Sequence, residues 1–342
     1  MTTGERIAIV TTSYPRGPGD AAGHFVETEA RALARAGNHV TVITPRGEAS
    51  TIARGDGAAA VASEERPGSL LVLRLPDGGA SGLPGILPRL RERPARAIGI
   101  ARWVASASLA LARRAPFERV QAHWLFPAAF PIAILATRDT PLEVVLHGSD
   151  ARLLAMLPVR TARWILQALI RRRAVFRCVS EELAELLRSL APPGTHPEIR
   201  VSAALLSLNG VPCREDARRK LGVPPDERLV VVVGRLIASK RVRDALAAAR
   251  LVPDSHVVVV GGGPEQPTLQ RDFPEAHFTG QTAREQALTW IAAADVVLSA
   301  SRTEGAPTAL REARALGVPV VTSAAGDLLR WAELDSGLYV VR

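Results

Sequence analysis

The chain reads as an α/β protein of two doubly wound parallel-sheet domains, and three observations lead to that expectation. Short runs rich in Val and Ile alternate with stretches of helical period along its length. These runs are continuously apolar instead of alternating, which is the pattern of parallel strands covered on both faces. They are too many for one sheet, and the rhythm breaks near "LLSLNGVPCREDARRKLGVPPDE", where an Asn-Gly turn and several prolines fall together. The boundary is expected close to residue 208, giving domains of 1–207 and 208–342.

In chain order, "RIAIVTT" is the first expected strand, "HFVETEARALARAG" the first helix and "HVTVITP" the next strand. The segment from Gly47 to Gly68 reads as an irregular, Gly- and Ala-rich excursion. "LPRLRERPARAIGIARW" and "RTARWILQALIRRRAVFR" set Arg among Leu, Ile and Trp at spacings that suit amphipathic helices. Behind the break, "RLVVVVG", "HVVVVGGG", "ADVVLSA" and "VPVVTSA" are buried strands. No repeat of fixed period is present. Two such domains in tandem imply a cleft, and in doubly wound sheets ligands bind beyond the carboxyl ends of the strands.

Composition narrows the function classes. The 342 residues are 47% hydrophobic and 23% charged, enough apolar material for a sizeable core. Two cysteines, Cys178 and Cys213, exclude a disulfide framework and a cysteine metal cluster, and a cytoplasmic compartment is expected. No segment reaches the roughly 18 apolar residues that span a bilayer. Basicity belongs to the front: residues 1–205 hold 26 Arg against 18 acidic residues, residues 206–342 hold 17 basic against 16. The basic amphipathic segments fit either a solvated face or an anionic membrane surface. Nucleic acid is not expected as a partner, because aromatics are only 4% of the chain, too few for a row of stacking platforms along the basic runs.

The most informative stretch is "TEGAPTALREARALG", with Glu304 and Glu312 on either side of a Gly-Ala-Pro turn. Pro307 suits a first helical turn and Gly317 a helix stop. Glu304 then stands on the loop and Glu312 more than a turn inside the helix. At about 1.5 Å of rise per residue, the carboxylates should be roughly 10 Å apart. That exceeds the separation of about 5–9.5 Å in a glycosidase pair and suits holding two ends of one elongated ligand. Backbone N–H groups from Gly305 through Ala306, Pro307, Thr308 and Ala309 (Pro307 lacking one), with the positive helix end, would bind an anion between them. The helix is expected to bury Ala306, Ala309, Ala313 and Leu316, leaving Glu312 at the edge of that stripe, where a ribose diol would satisfy it. The plainer alternative makes both glutamates ordinary surface residues.

A second cluster, "VVVVGRLIASKRV", ends a strand with Gly234 and presents Arg235 and Lys240. Lys240 is one of two lysines, the other being Lys220, so a compact ammonium has been kept in an arginine-rich chain. With Arg235 it would neutralise a diphosphate as charge develops on it. "VVVVGGGPE" adds Gly263, but Gln266 stands where a dinucleotide fingerprint has its third glycine.

Together "GRLIASK", "VVVVGGGPE", "FTG", "ADVVLSASRTEGAPTALREARALGVPVV", "GHFVETEARALARAGNHVTVITP", "AHWLFP" and "VVLHGSD" resemble family 4 of the retaining glycosyltransferases over nearly the whole chain. The resemblance implies the GT-B fold, two Rossmann-like domains facing across a cleft, the front one for the acceptor and the rear one for a nucleotide sugar. It implies hexosyl transfer from a UDP- or GDP-linked co-substrate, with no metal ion and no other cofactor. Carried over by motif, Glu304 would contact the donor sugar, Glu312 the ribose, and Arg235 and Lys240 the diphosphate. His147 of "HGSD" would stand beside the reacting centre, and Gly23 would belong to a loop near the phosphates. From the residues alone, His147 fits a hydrogen-bonded loop histidine equally well. His123 reads as structural, and His24 as a helix cap or a donor contact.

The chain departs from the family pattern at Arg241, where Gly is common, and at Gln121, where His is frequent. It also stops at "GLYVVR", before the helices that usually cross back onto the first domain. A glycan or lipid-linked acceptor at the inner membrane face is the expected partner. Two other readings stand beside this one: a sugar-nucleotide epimerase of similar fold, and a non-catalytic nucleotide-sugar-binding protein. NAD chemistry lacks its glycine fingerprint after the first strand.

Overall fold

Runs of apolar, mostly β-branched residues crowd a helix and pack well on a pleated surface, and here they form two sheets. The computed structural model describes residues 4–17, 19–46, 59–63, 68–81, 89–90, 92–137 and 139–341. The chain divides into two compact units, one of Met1–Gly17 with Ala22–Leu205, the other of Pro18–Ala21 with Leu206–Arg342.

The first unit holds an eight-stranded sheet: β1 (Arg6–Thr11), β2 (His39–Pro45), β3 (Ala59–Ser63), β4 (Ser69–Leu75), β5 (Arg119–His123), β6 (Leu142–Leu146), β7 (Val175–Cys178) and β8 (Glu198–Val201). Their spatial order is β3-β4-β2-β1-β5-β6-β7-β8. All neighbours are parallel except β3 and β4, which pair antiparallel from Ala59↔Arg74 to Ser63↔Leu70. Strand β3 corrects the expectation of an irregular excursion, since it falls within Gly47–Gly68; the rest of that stretch before Gly68 lies outside the described residues. The unit's longer helices among the described residues include α1 (His24–Arg35), α2 (Arg96–Arg114), α3 (Ser149–Ala155), α4 (Val159–Arg171) and α5 (Glu181–Leu190), and a kinked helical stretch, Leu125–Ala133 with Ile134–Ala136, joins β5 to β6. "RTARWILQALIRRRAVFR" is thus helical only through Arg171, and its last residues enter β7.

The second unit has six parallel strands: β9 (Arg228–Val233), β10 (Ser255–Val260), β11 (His277–Gly280), β12 (Val296–Ser299), β13 (Val320–Ser323) and β14 (Leu338–Val341). Their order is β11-β10-β9-β12-β13-β14, the doubly wound arrangement in which chain direction across the sheet reverses between the first and fourth strands. Its helices are α6 (Arg214–Leu221), α7 (Val242–Ala249), α8 (Gln266–Asp272), α9 (Arg284–Ala293), α10 (Thr308–Ala315) and α11 (Leu328–Ala332). Alternate residues of one strand go to opposite faces. Leu229 and Val231 pack with Ile291, Leu310 and Ala313, whereas Val230 and Val232 pack with Val242, Leu246 and Leu269. Burial on both faces is why these strands are continuously apolar, and each such side chain contributes about 1.5–3 kcal/mol.

This order fixes where polar loops gather. In the first unit the reversal lies between β1 and β5, and in the second between β9 and β12. The residues singled out from the sequence sit on the exits of these strands or of their immediate neighbours.

Candidate active site

In the second unit the β9 exit carries Gly234 and Arg235, then a single 3-10 turn, Ala238–Lys240. The β12 exit carries Ser301 to Pro307 and enters α10. The two loops are tied together where Arg302 N donates to Ser239 O at 2.9 Å. Lys240 Nζ lies 2.5 Å from Glu304 Oε1, with the Glu304 side chain 9% exposed and that of Lys240 24%. Arg235 is exposed on the same loop.

The glycines are needed for close backbone approach. The β9 exit is held against the β10 exit by Gly234 N to Val260 O at 3.0 Å and Leu236 N to Gly262 O at 3.0 Å. A Cβ on Gly261 would come within 2.0 Å of Gly234 O, and one on Gly263 within 2.3 Å of Leu236 O. Arg241, where the resembled family commonly has Gly, has φ 47° and opens α7 from the left-handed region.

Helix α10 begins after Pro307, and no side chain caps that end. Gly305, Ala306 and Thr308 are half-buried around it, so the positive end of the helix is available to an anion. Ala315 is the last helical residue, and Gly317 follows with φ 78°. The buried face differs from the expected stripe: Leu310 and Ala313 carry it, with Ala309 and Leu316 packed partly against the core and Ala306 outside it. Glu312 is buried, 5% exposed, not at an edge. Its Oε1 lies 2.7 Å from Arg284 NH2. Burial raises its pKa, against the lowering pull of Arg284 and then Arg311. Sequence reasoning missed Arg284, because a partner 28 residues away on α9 leaves no local pattern.

In the first unit Gly23 has φ 71°, and a Cβ there would meet Ser13 O at 2.3 Å. The loop after β1 thus folds against the start of α1 in a way only glycine permits. His24 opens α1, and no side-chain bond caps this helix end. His147 follows β6 directly. Its loop is pinned by Asp150, 4% exposed, which accepts from His147 N at 3.1 Å, Gly148 N at 3.0 Å and Leu125 N at 2.9 Å. Burial raises the Asp150 pKa, against the lowering pull of backbone donors, Leu125 first. The His147 ring lies 4.8 Å from Phe25 and 4.7 Å from Trp124, centroid to centroid. Its Nε2 is 3.1 Å from His123 Nδ1. Burial, then His123, then Arg177 hold its pKa well below the usual imidazole value. His147 is a neutral ring at physiological pH, able to donate from one nitrogen and accept at the other.

Among the described residues, no group of three or more His, Cys, Asp or Glu could hold a metal ion, and no helix is long and apolar enough to cross a membrane.

Residues 21–201 match the glycosyl transferase 4-like domain, and residues 213–333 match the glycosyl transferases group 1 model. The chain belongs to this glycosyltransferase family. TuaC of Bacillus subtilis strain 168, a glycosyltransferase whose name assigns it to teichuronic acid biosynthesis, is 28% identical over 94% of this chain and 82% of its own. Among solved structures, the sucrose-phosphate synthase of Thermosynechococcus elongatus aligns with a TM-score of 0.71 at 20% identity, covering 94% of this chain and 82% of that one. HepE of Anabaena in complex with UDP and glucose aligns with a TM-score of 0.64 at 17% identity, covering 95% and 82%. These likenesses give the glycosyltransferase its fold, GT-B, as the resemblance implied.

Proposed function

We propose that this glycosyltransferase moves a hexose from a UDP- or GDP-linked donor to an acceptor hydroxyl with retention at the anomeric carbon, using no metal ion or other cofactor. Residues 208–342 form the donor domain and residues 1–207 the acceptor domain. The single observation that carries the reading is the Lys240–Glu304 pair, held at the point where the second sheet reverses, beside Arg235 and the uncapped start of α10.

An ammonium has three N–H donors, so Lys240 can keep its bond to Glu304 and still offer protons to phosphate oxygens. Arg235 and the backbone from Gly305 to Thr308 complete the diphosphate site, with Gly234 and Gly263 letting the backbone come close. Glu304 faces the donor sugar and Glu312, steadied by Arg284, the ribose. In the transfer step the bond from the anomeric carbon to the phosphate oxygen breaks, and one to the acceptor oxygen forms on the same face. The acceptor proton passes to the departing phosphate oxygen. Lys240 and Arg235 stabilise the charge that develops there. His147 and Gly23 are the residues that the first domain would contribute to transfer, as the family resemblance implies.

The ligands named for HepE support a nucleotide-sugar donor, and the relatives are named for transfer, not epimerisation or sensing. The name of TuaC supports a cell-envelope glycan, lipid-linked or free, as acceptor and polysaccharide biosynthesis as the setting. Helices α2 and α4 expose Ile98 and Trp164 (68% and 62%) near Arg102, Arg160 and Arg171. That mixture suits peripheral attachment to the anionic cytoplasmic face of a membrane.

Thermal shift against a panel of UDP-, GDP- and ADP-sugars tests the donor assignment, and the coupling constant of the product's anomeric proton tests retention. Indifference to every sugar nucleotide, or an inverted product, would sink the proposal.

A further inference from the structure

We propose that Glu29, acting through His123, fixes the tautomer of His147 so that its proton sits on Nε2 and its Nδ1 keeps a lone pair for substrate. This makes Glu29 and His123 positioning residues, and it rests on the reading of His147 given above.

The argument starts from a shared hydrogen. His123 Nδ1 and His147 Nε2 are 3.1 Å apart, so one ring donates and the other accepts. The other nitrogen of His123, Nε2, is buried and makes no hydrogen bond among the described residues. It lies 3.9 Å from Glu29 Oε2, with the two side chains 1% and 9% exposed. A lone pair there would face a carboxylate with little solvent to screen it, whereas an N–H would be attracted to it. Burial, then Arg177, hold the His123 pKa down to about 3, so the ring is neutral and has one N–H to place. Placed on Nε2, it leaves Nδ1 as acceptor. His147 must then donate from Nε2, and its Nδ1 carries the lone pair.

The carboxylate that sets this order is itself held. Arg177 NH2 lies 2.5 Å from Glu29 Oε1, and Arg177 Nε lies 3.3 Å from Glu143 Oε1. Gln121 Nε2 donates to Glu143 at 2.7 Å and reaches Glu29 at 3.3 Å. Helix α1 supplies Glu29, β5 supplies Gln121 and His123, β6 supplies Glu143 and β7 supplies Arg177. Glu29, Glu143 and Arg177 are thus charged groups on the His123 side of the pair, and the buried carboxylate of Asp150 holds the backbone of His147 from α3. Phe25 and Trp124 fix the plane of the His147 ring from their own sides. The consequence is chemical: His147 accepts a hydrogen bond from a hydroxyl of sugar or acceptor and does not donate one to a phosphate.

Histidine-labelled 15N spectra of the wild-type protein test the tautomer directly. The expected result is a protonated Nε2 and an unprotonated Nδ1 at His147, with the preference relaxed in Glu29→Gln. A proton on Nδ1 of wild-type His147 overturns the proposal without any variant having to fold. In steady-state assays, His123→Phe should lower kcat by about tenfold or more with donor KM within about threefold. His123→Asn, whose amide places an acceptor where Nδ1 stood, should recover much of the loss. Wild-type kcat in His123→Phe also overturns it. His147→Ala separates the two readings: full turnover there removes the positioning role by removing its object, whereas the 15N result still decides the tautomer.

Discussion

Arg284 NH2 lies 2.7 Å from Glu312 Oε1, and the two side chains are 14% and 7% exposed. The same guanidinium donates to Ser207 O at 3.0 Å. Glu312 is therefore held by α9, with its Oε1 facing Arg284.

Removing one partner of a buried pair strands the other, at a cost of about 3–5 kcal/mol. Arg284→Ala should lower unfolding free energy by an amount in that range and raise donor KM. Urea denaturation and KM for the sugar nucleotide check it; a change in neither means that the pair is idle.

Lys240→Ala should cut transfer by about 10²–10³-fold, as loss of a group that stabilises transition-state charge does. Lys240 is not a core residue, so the melting temperature should stay within a few degrees. A stopped assay on the folded variant decides; turnover near wild type removes Lys240 from the site.

Gly261→Ala would push a methyl carbon to 2.0 Å from Gly234 O at a residue with φ 134°. The backbone must give, at more than about 2 kcal/mol, and the β9 exit moves with it. Lower stability together with weaker donor binding is expected by calorimetry and titration.

Arg241→Gly tests the opposite effect. The arginine sits at φ 47°, which costs a residue with a Cβ about 1–2 kcal/mol, less the entropy glycine loses on folding. Its exposed pair with Asp244 contributes little. The variant should be more stable by about 0.5–1 kcal/mol with unchanged kcat, measured by denaturant midpoint; destabilisation would refute this account.

Acid should unfold the protein through its buried imidazoles. The His123 pKa in the folded state, about 3, lies below the 6.5 of a free imidazole, so between those values the unfolded chain binds more protons. Stability then falls as pH drops through that window, by up to about 1.4 kcal/mol per pH unit for this group. Glu312 acts in the other direction: its raised pKa favours the folded state at low pH. Melting curves from pH 7 to 4 should show the histidine slope, reduced in His123→Asn.

The strands were legible because each is short, continuously apolar and bounded by Gly, Pro or charge, so β1, β2, β9, β10, β12 and β13 fall where their residues suggest. Strand β3 was not, because "AAVAS" lacks the bulk that marks a buried strand and gains its place by pairing with β4. The loop residues Arg235, Lys240 and Glu304 could be found because their spacing relative to strand ends is local.

What the sequence alone determined is therefore the α/β class, two parallel sheets, and a polar cluster at strand exits, since each follows from patterns within ten or so residues. Only the tertiary structure decided the partners: Arg284 for Glu312, Glu304 for Lys240, and the His123–His147 bond with Glu29 and Arg177 behind it. Such pairs join residues 24 to 148 positions apart, and nothing but the folded sheet order brings them within reach of a hydrogen bond.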